Sequence, residues 1–192
     1  MTPAQQEALN SITAAAVQAE RDTGSPAALA AAQAILESGW LTHAPGNNCF
    51  GIKEYHGCPD RQLLTTHEFF MPQSLAAFLG LGDSRTADLD PPNQPAGARQ
   101  RYRVQDWFAA YPDLAGCFAY HGSLLQRGVY QPAWEQYQRD GNLDGYIDGI
   151  ARHYATDPNY AASVKELANA SYVTAALAAV RTRDAAAARI AT

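Results

Sequence analysis

The stretch AAAQAILESGW, Ala30 to Trp40, places one carboxylate, Glu37, near the end of a run of small apolar residues. Four positions in and just before it share one side at helical spacing: Leu29, Ala32, Gln33 and Leu36. This pattern predicts a helix whose shared side faces the core, and Gly39 predicts where the helix ends. The sequence therefore predicts an acid at the C-terminal end of a helix, at the margin of its apolar face.

A glutamate in that position suits the chemistry of a general acid. Partial burial disfavours the charged carboxylate, and so does the partial negative charge at a helix C-terminus. Hydrolysis of a glycosidic bond needs such a proton donor and a second carboxylate that supports the transition state or activates water. Glu68, in LLTTHEFF, is the candidate for the second group. Taken alone, however, a glutamate at a helix end is more often a solvated residue than a catalyst.

The first half of the chain changes character after the helices. Thr2-Pro3-Ala4-Gln5 predicts a capping box that opens a helix to about Asp22, and Ser25-Pro26 predicts the cap of the next helix. From Leu41 to Arg103 the helical period disappears. Within it we expect short strands at NNCFGIKEYHG and RQLLTTHEFF, an exposed loop at GLGDSRTADLDPPNQPAG, and a returning, half-exposed edge strand at ARQRYRVQDW.

Helical signals return in the second half. They cover residues 113–126 and 132–139, and Asn142 and Asp157-Pro158 predict the starts of two further helices. The tail from residue 171 is Ala-rich and helix-prone, and the sequence does not say whether it docks or projects. We therefore predict an α+β fold that is mainly helical, with a small β lobe at about residues 47–104 and a helical extension at 171–192.

Bulk properties exclude several classes of protein. The chain has 192 residues and a formal charge of −5, which argues against a nucleic-acid-binding protein. We expect neither a membrane-spanning segment nor a secretion signal at this N-terminus. The histidines and cysteines lack metal-site spacing, so no metal or other cofactor is expected. Cys49 and Cys58 could close a short loop, but free thiols are the simpler interpretation.

Four blocks of the sequence resemble glycoside hydrolase family 73, the bacterial endo-β-N-acetylglucosaminidases of autolysins, flagellar peptidoglycan hydrolases and phage lysins. They are AQAILESGW (32–40), NNCFGIK (47–53), TTHEFF (65–70) and YATDPNY (154–160). The blocks stand in the family's order, and the similarity spans about residues 4–170. The resemblance implies a lysozyme-like fold for a domain of residues 1–170, with a cleft between the helical body and the β lobe.

The resemblance also implies an activity and a set of residues. The activity is cleavage of the β-1,4 bond after N-acetylglucosamine in peptidoglycan. Glu37 matches the family's general acid, Glu68 the second carboxylate of the β lobe, and Tyr154 the catalytic tyrosine motif. We expect substrate contacts from five further residues: Trp40, Asn48, Phe50, Asp157 and Tyr160. The implied partner is the peptidoglycan glycan strand, and the protein is expected to act as a monomer. The implied location is the cell envelope, either in the periplasm or outside the cell, and a phage-encoded lysin is a further possibility.

The sequence departs from the family in three places. Leu41 follows ESGW where the family usually has glycine, Cys49 replaces an aliphatic residue, and the segment between Phe70 and Arg101 is unusually long and Pro-rich. Retaining, inverting and substrate-assisted mechanisms all stay open. Two other functions also stay open: a lytic transglycosylase, which needs one acid, and a non-catalytic glycan-binding module on the same fold.

Overall fold

The computed structural model describes residues 1–90, 95, 98–155 and 157–190. The chain divides into two compact units, Met1–Phe50 with Pro112–Thr192, and Gly51–Tyr111. The first unit is helical over the part described. Its helices are α1 (Pro3–Thr23), α2 (Ala27–Ser38), α4 (Leu114–Leu124), α5 (Gln131–Asp140), α6 (Leu143–Tyr154), α7 (Tyr160–Asn169) and α8 (Ser171–Ile190). The second unit holds β1 (Asp60–Phe70), α3 (Pro72–Gly80), β2 (Thr86–Leu89) and β3 (Gln100–Ala110). The predicted α+β class, dominated by helix, is confirmed.

The predicted cap of α1 is confirmed, but the predicted cap of α2 is wrong. Thr2 Oγ1 accepts a hydrogen bond from Gln5 N–H at 3.2 Å, and the Gln5 side chain accepts one from Thr2 N–H at 2.9 Å. In contrast, the Ser25 hydroxyl has no hydrogen-bond partner among the described residues. Glu20 Oε1 accepts from Ala27 N–H at 2.9 Å instead, so a carboxylate of α1 supplies the cap of α2.

Helix α2 is buried on more sides than the predicted stripe allows. All its alanines except the partly buried Ala28, together with Leu29, Gln33 and Ile35, are almost entirely buried. Leu36, predicted to face the core, is 38% exposed. Small alanine side chains let neighbouring elements pack closely around the helix, so the exposed strip is narrow and consists of Leu36 and Glu37. Gly39 ends the helix with φ 55°, in the left-handed conformation that glycine adopts without strain.

The second unit is built on a three-stranded antiparallel sheet in the order β1-β3-β2. β3 was predicted to be an edge strand, but it is the central one, and Val104 in it is fully buried. The reason is β2, which lies inside the Gly/Pro/Asp-rich stretch predicted to be a loop. Part of that stretch, residues 91–94, 96 and 97, lies outside the described residues. NNCFGIKEYHG forms only one isolated bridge, Lys53 to Phe108.

The start of α7 differs from the prediction. Asp157 was expected to begin the helix, but α7 begins at Tyr160. The Asp157 carboxylate accepts from Asn159 N–H at 2.8 Å and so closes the turn before the helix.

The Ala-rich tail docks on the helical unit rather than projecting from it. It forms α8, which contacts α1 through two ion pairs, Arg21–Asp184 at 2.6 Å and Arg181–Glu20 at 2.7 Å. It also buries three aliphatic residues: Val173, Leu177 and Val180.

The three cysteines are free, and no bond joins Cys49 to Cys58. Within the helical unit, the Cys49 thiol lies within hydrogen-bond reach of the Cys117 thiol. This contact, together with burial, raises the pKa of Cys117 far above its ordinary value. The Cys117 thiol is therefore neutral, and both cysteines are buried in the core.

Candidate active site

Glu37 lies in the last turn of α2, one residue before the helix ends. The residue as a whole is exposed, but its carboxyl group is partly desolvated by the surrounding protein, and this raises its pKa. A hydrogen bond from the Tyr160 side chain acts in the opposite direction and lowers the pKa, yet desolvation is the larger effect. The helix terminus adds its partial negative charge, which also favours the protonated form. Glu37 therefore has the environment of a proton donor.

Tyr160, at the start of α7, connects Glu37 to a buried amide. Its side chain is 6% exposed, and its hydroxyl accepts a hydrogen bond from Gln33 Nε2 at 2.8 Å. Burial raises the pKa of Tyr160 far above its ordinary value, so the hydroxyl keeps its proton. The structure thus brings Glu37 and Tyr160 together, and it adds Gln33, which the sequence placed only on the core face.

Tyr154, at the end of α6, stacks on Tyr160 with ring centroids 5.5 Å apart and an angle of 19° between the rings. Desolvation raises its pKa well above the ordinary value, and the nearby Tyr160 and Glu37 add to the shift. Tyr154 therefore keeps its proton near neutral pH and can donate a hydrogen bond. Its ring is also 6.4 Å from that of Tyr130.

Asn48 and Phe50, predicted substrate contacts, are both buried, with exposures of 4% and 6%. Phe50 stacks on His121 with ring centroids 3.7 Å apart. His121 is fully buried, its two ring nitrogens have no partner among the described residues, and desolvation lowers its pKa to about 3. His121 is therefore neutral. The His121 ring also makes an edge contact with the Tyr154 ring, with centroids 6.1 Å apart. Phe50 therefore packs against the histidine that contacts Tyr154.

Trp40 and Asp157 are nearer to solvent. Trp40 follows Gly39 with φ 63°, is half-buried, and has its ring 5.9 Å from that of Tyr172 on α8. Asp157 is exposed, and one of its oxygens is held by the backbone of Asn159. Substrate binding by these two residues, and by Asn48, Phe50 and Tyr160, stays a prediction.

Glu68 belongs to the second unit and lies on β1 opposite Tyr102 of β3. Its carboxylate pairs with Lys53 Nζ at 2.9 Å, and the same ammonium pairs with Asp106 at 2.8 Å. Asp106 also accepts from Arg85 Nε at 2.8 Å. Burial acts to raise the pKa of Asp106, but the hydrogen bonds from Lys53 and Arg85 outweigh it, and the pKa is lowered. A fixed anion, Asp106, therefore anchors the lysine that holds Glu68.

The sequence identified the carboxylates but not the groups that hold them. Gln33 had one available signal, a polar residue one helical turn before Glu37 on a buried face. Lys53 was recognised only as part of the NNCFGIK block, and Asp106 and Arg85 carried no local signal. In the described part of the chain, no three His, Cys, Asp or Glu side chains are grouped so as to hold a metal ion. No helix described there is both long and apolar enough to cross a membrane.

Comparison with known structures gives the fold. The catalytic domain of the autolysin Auto from Listeria monocytogenes superposes with a TM-score of 0.63 at 22% identity, covering 92% of this chain and 89% of that one. A peptidoglycan hydrolase mutant from Sphingomonas sp. A1 gives 0.59 at 22% identity, covering 90% and 97%. A truncated glycoside hydrolase domain of FlgJ from Salmonella typhimurium gives 0.57 at 22% identity, covering 85% and 95%. The predicted lysozyme-like fold is confirmed.

Comparison with sequences gives the family. A search of curated proteins finds no significant match. The profile of the Glucosaminidase family, described as mannosyl-glycoprotein endo-beta-N-acetylglucosaminidase, matches residues 13–172. This range contains the four blocks noted above and most of the chain. The protein therefore belongs to the Glucosaminidase family, glycoside hydrolase family 73.

Proposed function

We propose that this protein is an endo-β-N-acetylglucosaminidase that hydrolyses the β-1,4 bond after N-acetylglucosamine in peptidoglycan, with Glu37 as the general acid. The raised pKa of Glu37, at a helix end and in contact with Tyr160, is the observation that carries the proposal. Membership of a glycoside hydrolase family supports the reaction type. Peptidoglycan is the substrate class named for one of the structural relatives, the hydrolase from Sphingomonas sp. A1.

The two other catalytic roles follow from the same chemistry. We assign Glu68 as the second carboxylate, because it lies on strand β1 and pairs with Lys53 Nζ at 2.9 Å. An anion can stabilise an oxocarbenium-like transition state, attack it, or activate water. Tyr154 acts as a hydrogen-bond donor, since burial keeps its hydroxyl protonated. The enzyme acts as a monomer on glycan strands of the cell envelope, without a cofactor.

Digestion of purified peptidoglycan followed by mass spectrometry of the products tests the activity. A reducing N-acetylglucosamine end on the products is the expected result. An anhydro-sugar end would show a lytic transglycosylase instead, and binding of muropeptides without turnover would show a non-catalytic module. Either of these two outcomes overturns the proposal.

Glu37→Gln tests the assignment of the acid, because the amide keeps the shape of the side chain and cannot deliver the proton. We expect a loss of about 10²–10⁴-fold in kcat, the range of general acid catalysis. Glu7→Gln, the same change at an exposed position of α1, is the matched control and keeps parental activity. Parental activity in Glu37→Gln would rule out this residue as the acid. For Glu68→Gln we expect a smaller loss that depends on the substrate.

A further inference from the structure

Gln33 is a buried polar residue to which the family resemblance gives no role. It lies on α2 one turn before Glu37, and it is fully buried. Its amide nitrogen donates to the Tyr160 hydroxyl at 2.8 Å, while its amide oxygen has no partner in the part of the chain that is described. A buried amide with one unpartnered atom is costly, because the lost hydration of that oxygen is not replaced. Its position is thus poorly explained by stability alone.

The bond from Gln33 fixes the direction of the Tyr160 proton. A tyrosine hydroxyl has one proton, and an amide N–H can only donate. Because the Tyr160 oxygen accepts from Gln33, its own proton must point to another acceptor. The Glu37 carboxyl interacts with the Tyr160 side chain, and it is the acceptor to which we assign that proton. The three side chains therefore form a one-way series of hydrogen bonds that ends on the proposed acid.

We propose that Gln33 is a positioning residue that acts through Tyr160 to hold the Glu37 carboxyl in place for proton delivery. The proposal rests on the assignment of Glu37 as the acid. Donation by Gln33 also polarises the tyrosine hydroxyl and so strengthens the bond that Tyr160 makes to Glu37. The series thus sets both the orientation of the carboxyl and the pH range over which it carries a proton.

Other titratable groups surround this series but do not compete with it. Tyr154 of α6 and Tyr130 act electrostatically on Tyr160 or Tyr154, and burial raises the pKa of each, so both are neutral near neutral pH. From α4, the neutral Cys117 acts on Tyr154, and the neutral His121 contacts the Tyr154 ring. On α2 itself, Glu37 is the one ionisable residue.

A double-mutant cycle of Gln33→Met and Tyr160→Phe tests the proposal. Methionine keeps the length of the side chain and removes the donor, and phenylalanine keeps the ring and removes the hydroxyl. We expect Gln33→Met to lower kcat roughly fivefold with little change in KM, which is the effect of about 1 kcal/mol from one hydrogen bond. In the Tyr160→Phe background, Gln33→Met should have no further effect, because its action passes through the hydroxyl.

The pH dependence of Glu37 is the second readout, and it does not depend on turnover. The hydrogen bond from Tyr160 lowers the pKa of Glu37, so its loss must raise that pKa. Titration of the Glu37 carboxyl by ¹³C NMR should show an upward shift in Tyr160→Phe, a smaller upward shift in Gln33→Met, and no additional shift in the double variant. The alkaline limb of the activity profile should move to higher pH in the same order.

Two results would overturn the proposal: an unchanged Glu37 titration in Gln33→Met, or an equal effect of Gln33→Met with and without the Tyr160 hydroxyl. Gln18→Met, the same change at an exposed position of α1, is the control and should match the parent. If the parent protein does not cleave peptidoglycan, the proposed function fails, while the NMR titration still decides whether Gln33 acts on Glu37 through Tyr160. The two failures are therefore distinguishable.

Discussion

At the scale of the residue, the environment that suits Glu37 to the proposed role of general acid also carries a cost to stability. Desolvation raises its pKa in the folded protein, so the folded state binds the proton more tightly than the unfolded chain does. The stability that this proton contributes is complete below the unfolded pKa and is lost as the pH rises through the folded pKa. Near pH 8 the charged carboxylate is less well solvated in the folded state than in the unfolded state.

Glu37→Gln should therefore stabilise the protein at pH 8 and leave its stability nearly unchanged at pH 4. The rise in Tm should be smaller than the roughly 2–4 °C that 1 kcal/mol gives in a chain of this size, because the carboxyl group is only partly desolvated and solvent screens the effect. Thermal unfolding followed by circular dichroism at both pH values measures the effect. An equal change in Tm at both pH values would show that desolvation of the charged Glu37 carboxylate does not destabilise the folded protein.

The pKa of Asp106 shifts in the opposite direction to that of Glu37. Its pKa is lowered in the folded protein, so its contribution to stability is present above the ordinary carboxyl pKa and is lost as the pH falls through the folded value. We expect Asp106→Asn to cost roughly 1.5–3 kcal/mol at pH 7, the range for hydrogen bonds to charged groups, and much less at pH 2–3. Urea unfolding at each pH measures the difference.

Asp88→Asn is the matched control for Asp106→Asn. Asp88 forms an ion pair with Arg103 on the same sheet, but both side chains of this pair are exposed to solvent. Such exposed pairs are worth about 0–1 kcal/mol. A cost for Asp106→Asn that equals the cost of the control, or that does not change with pH, would contradict the anchoring role of Asp106.

At the scale of the element, α5 and α6 approach each other at one glycine. A β-carbon added at Gly149 would overlap with Ala133 Cβ, and the Ala133 backbone lies 3.5 Å away. In an exposed helix, Gly→Ala gains about 1 kcal/mol. Here we expect Gly149→Ala to destabilise instead, by roughly 1–3 kcal/mol, as overpacking does in a close contact.

Ala133→Gly in the Gly149→Ala background should recover much of the lost stability, since it removes the methyl group that clashes. Chemical unfolding of the two single variants and the double variant measures the coupling. A stabilising Gly149→Ala, or a double variant whose cost is the sum of the two single costs, would show that the two helices separate easily.

Elements could be predicted from the sequence where their signals were local. Asn142 caps α6 as predicted, accepting from Gly145 N–H at 3.0 Å. The predicted helical segment 113–126 corresponds to α4, which Asp113 caps by accepting from Gly116 N–H at 2.8 Å. Ser25 failed as a cap because Glu20, on the preceding helix, took its role. β2 was missed because its few residues lie among turn formers. β3 was predicted to be an edge strand from its alternating residues, but its pairing with β2 makes it central.

The candidate site likewise contains features that local sequence patterns predict and features that depend on long-range contacts. Glu37 was predictable, because an apolar helix pattern, an acid and a terminal glycine are close in sequence. The bond between Gln33 and Tyr160 joins residues 127 positions apart, and no periodicity predicts such a contact. Asp106, Lys53 and Glu68 likewise meet only because the sheet register and the Lys53 bridge bring them together. Local sequence patterns thus identify the candidate carboxylates, and long-range packing determines which side chains hold them.

At the scale of the whole molecule, α8 is the part whose status the sequence left open. We proposed residues 1–170 as the domain, yet α8 buries Val173, Leu177 and Val180 within the helical unit. Fully burying an aliphatic side chain contributes about 1.5–3 kcal/mol, whereas an exposed ion pair contributes about 0–1 kcal/mol. Apolar contacts rather than the pairs Arg21–Asp184 and Arg181–Glu20 should therefore hold α8 in place.

Truncation after Ala170 should accordingly destabilise the protein by several kcal/mol, although ordering of the lost helix offsets part of the burial. The double variant Arg21→Gln/Arg181→Gln, which removes the ion pairs and keeps the apolar contacts, should lose no more than about 2 kcal/mol. Urea unfolding of the three proteins compares them. If the truncated chain is as stable as the parent, residues 1–170 form a self-sufficient domain and α8 is an appendage. A large loss confined to the truncation makes α8 part of the fold that supports α1 and α2, and through α2 the position of Glu37.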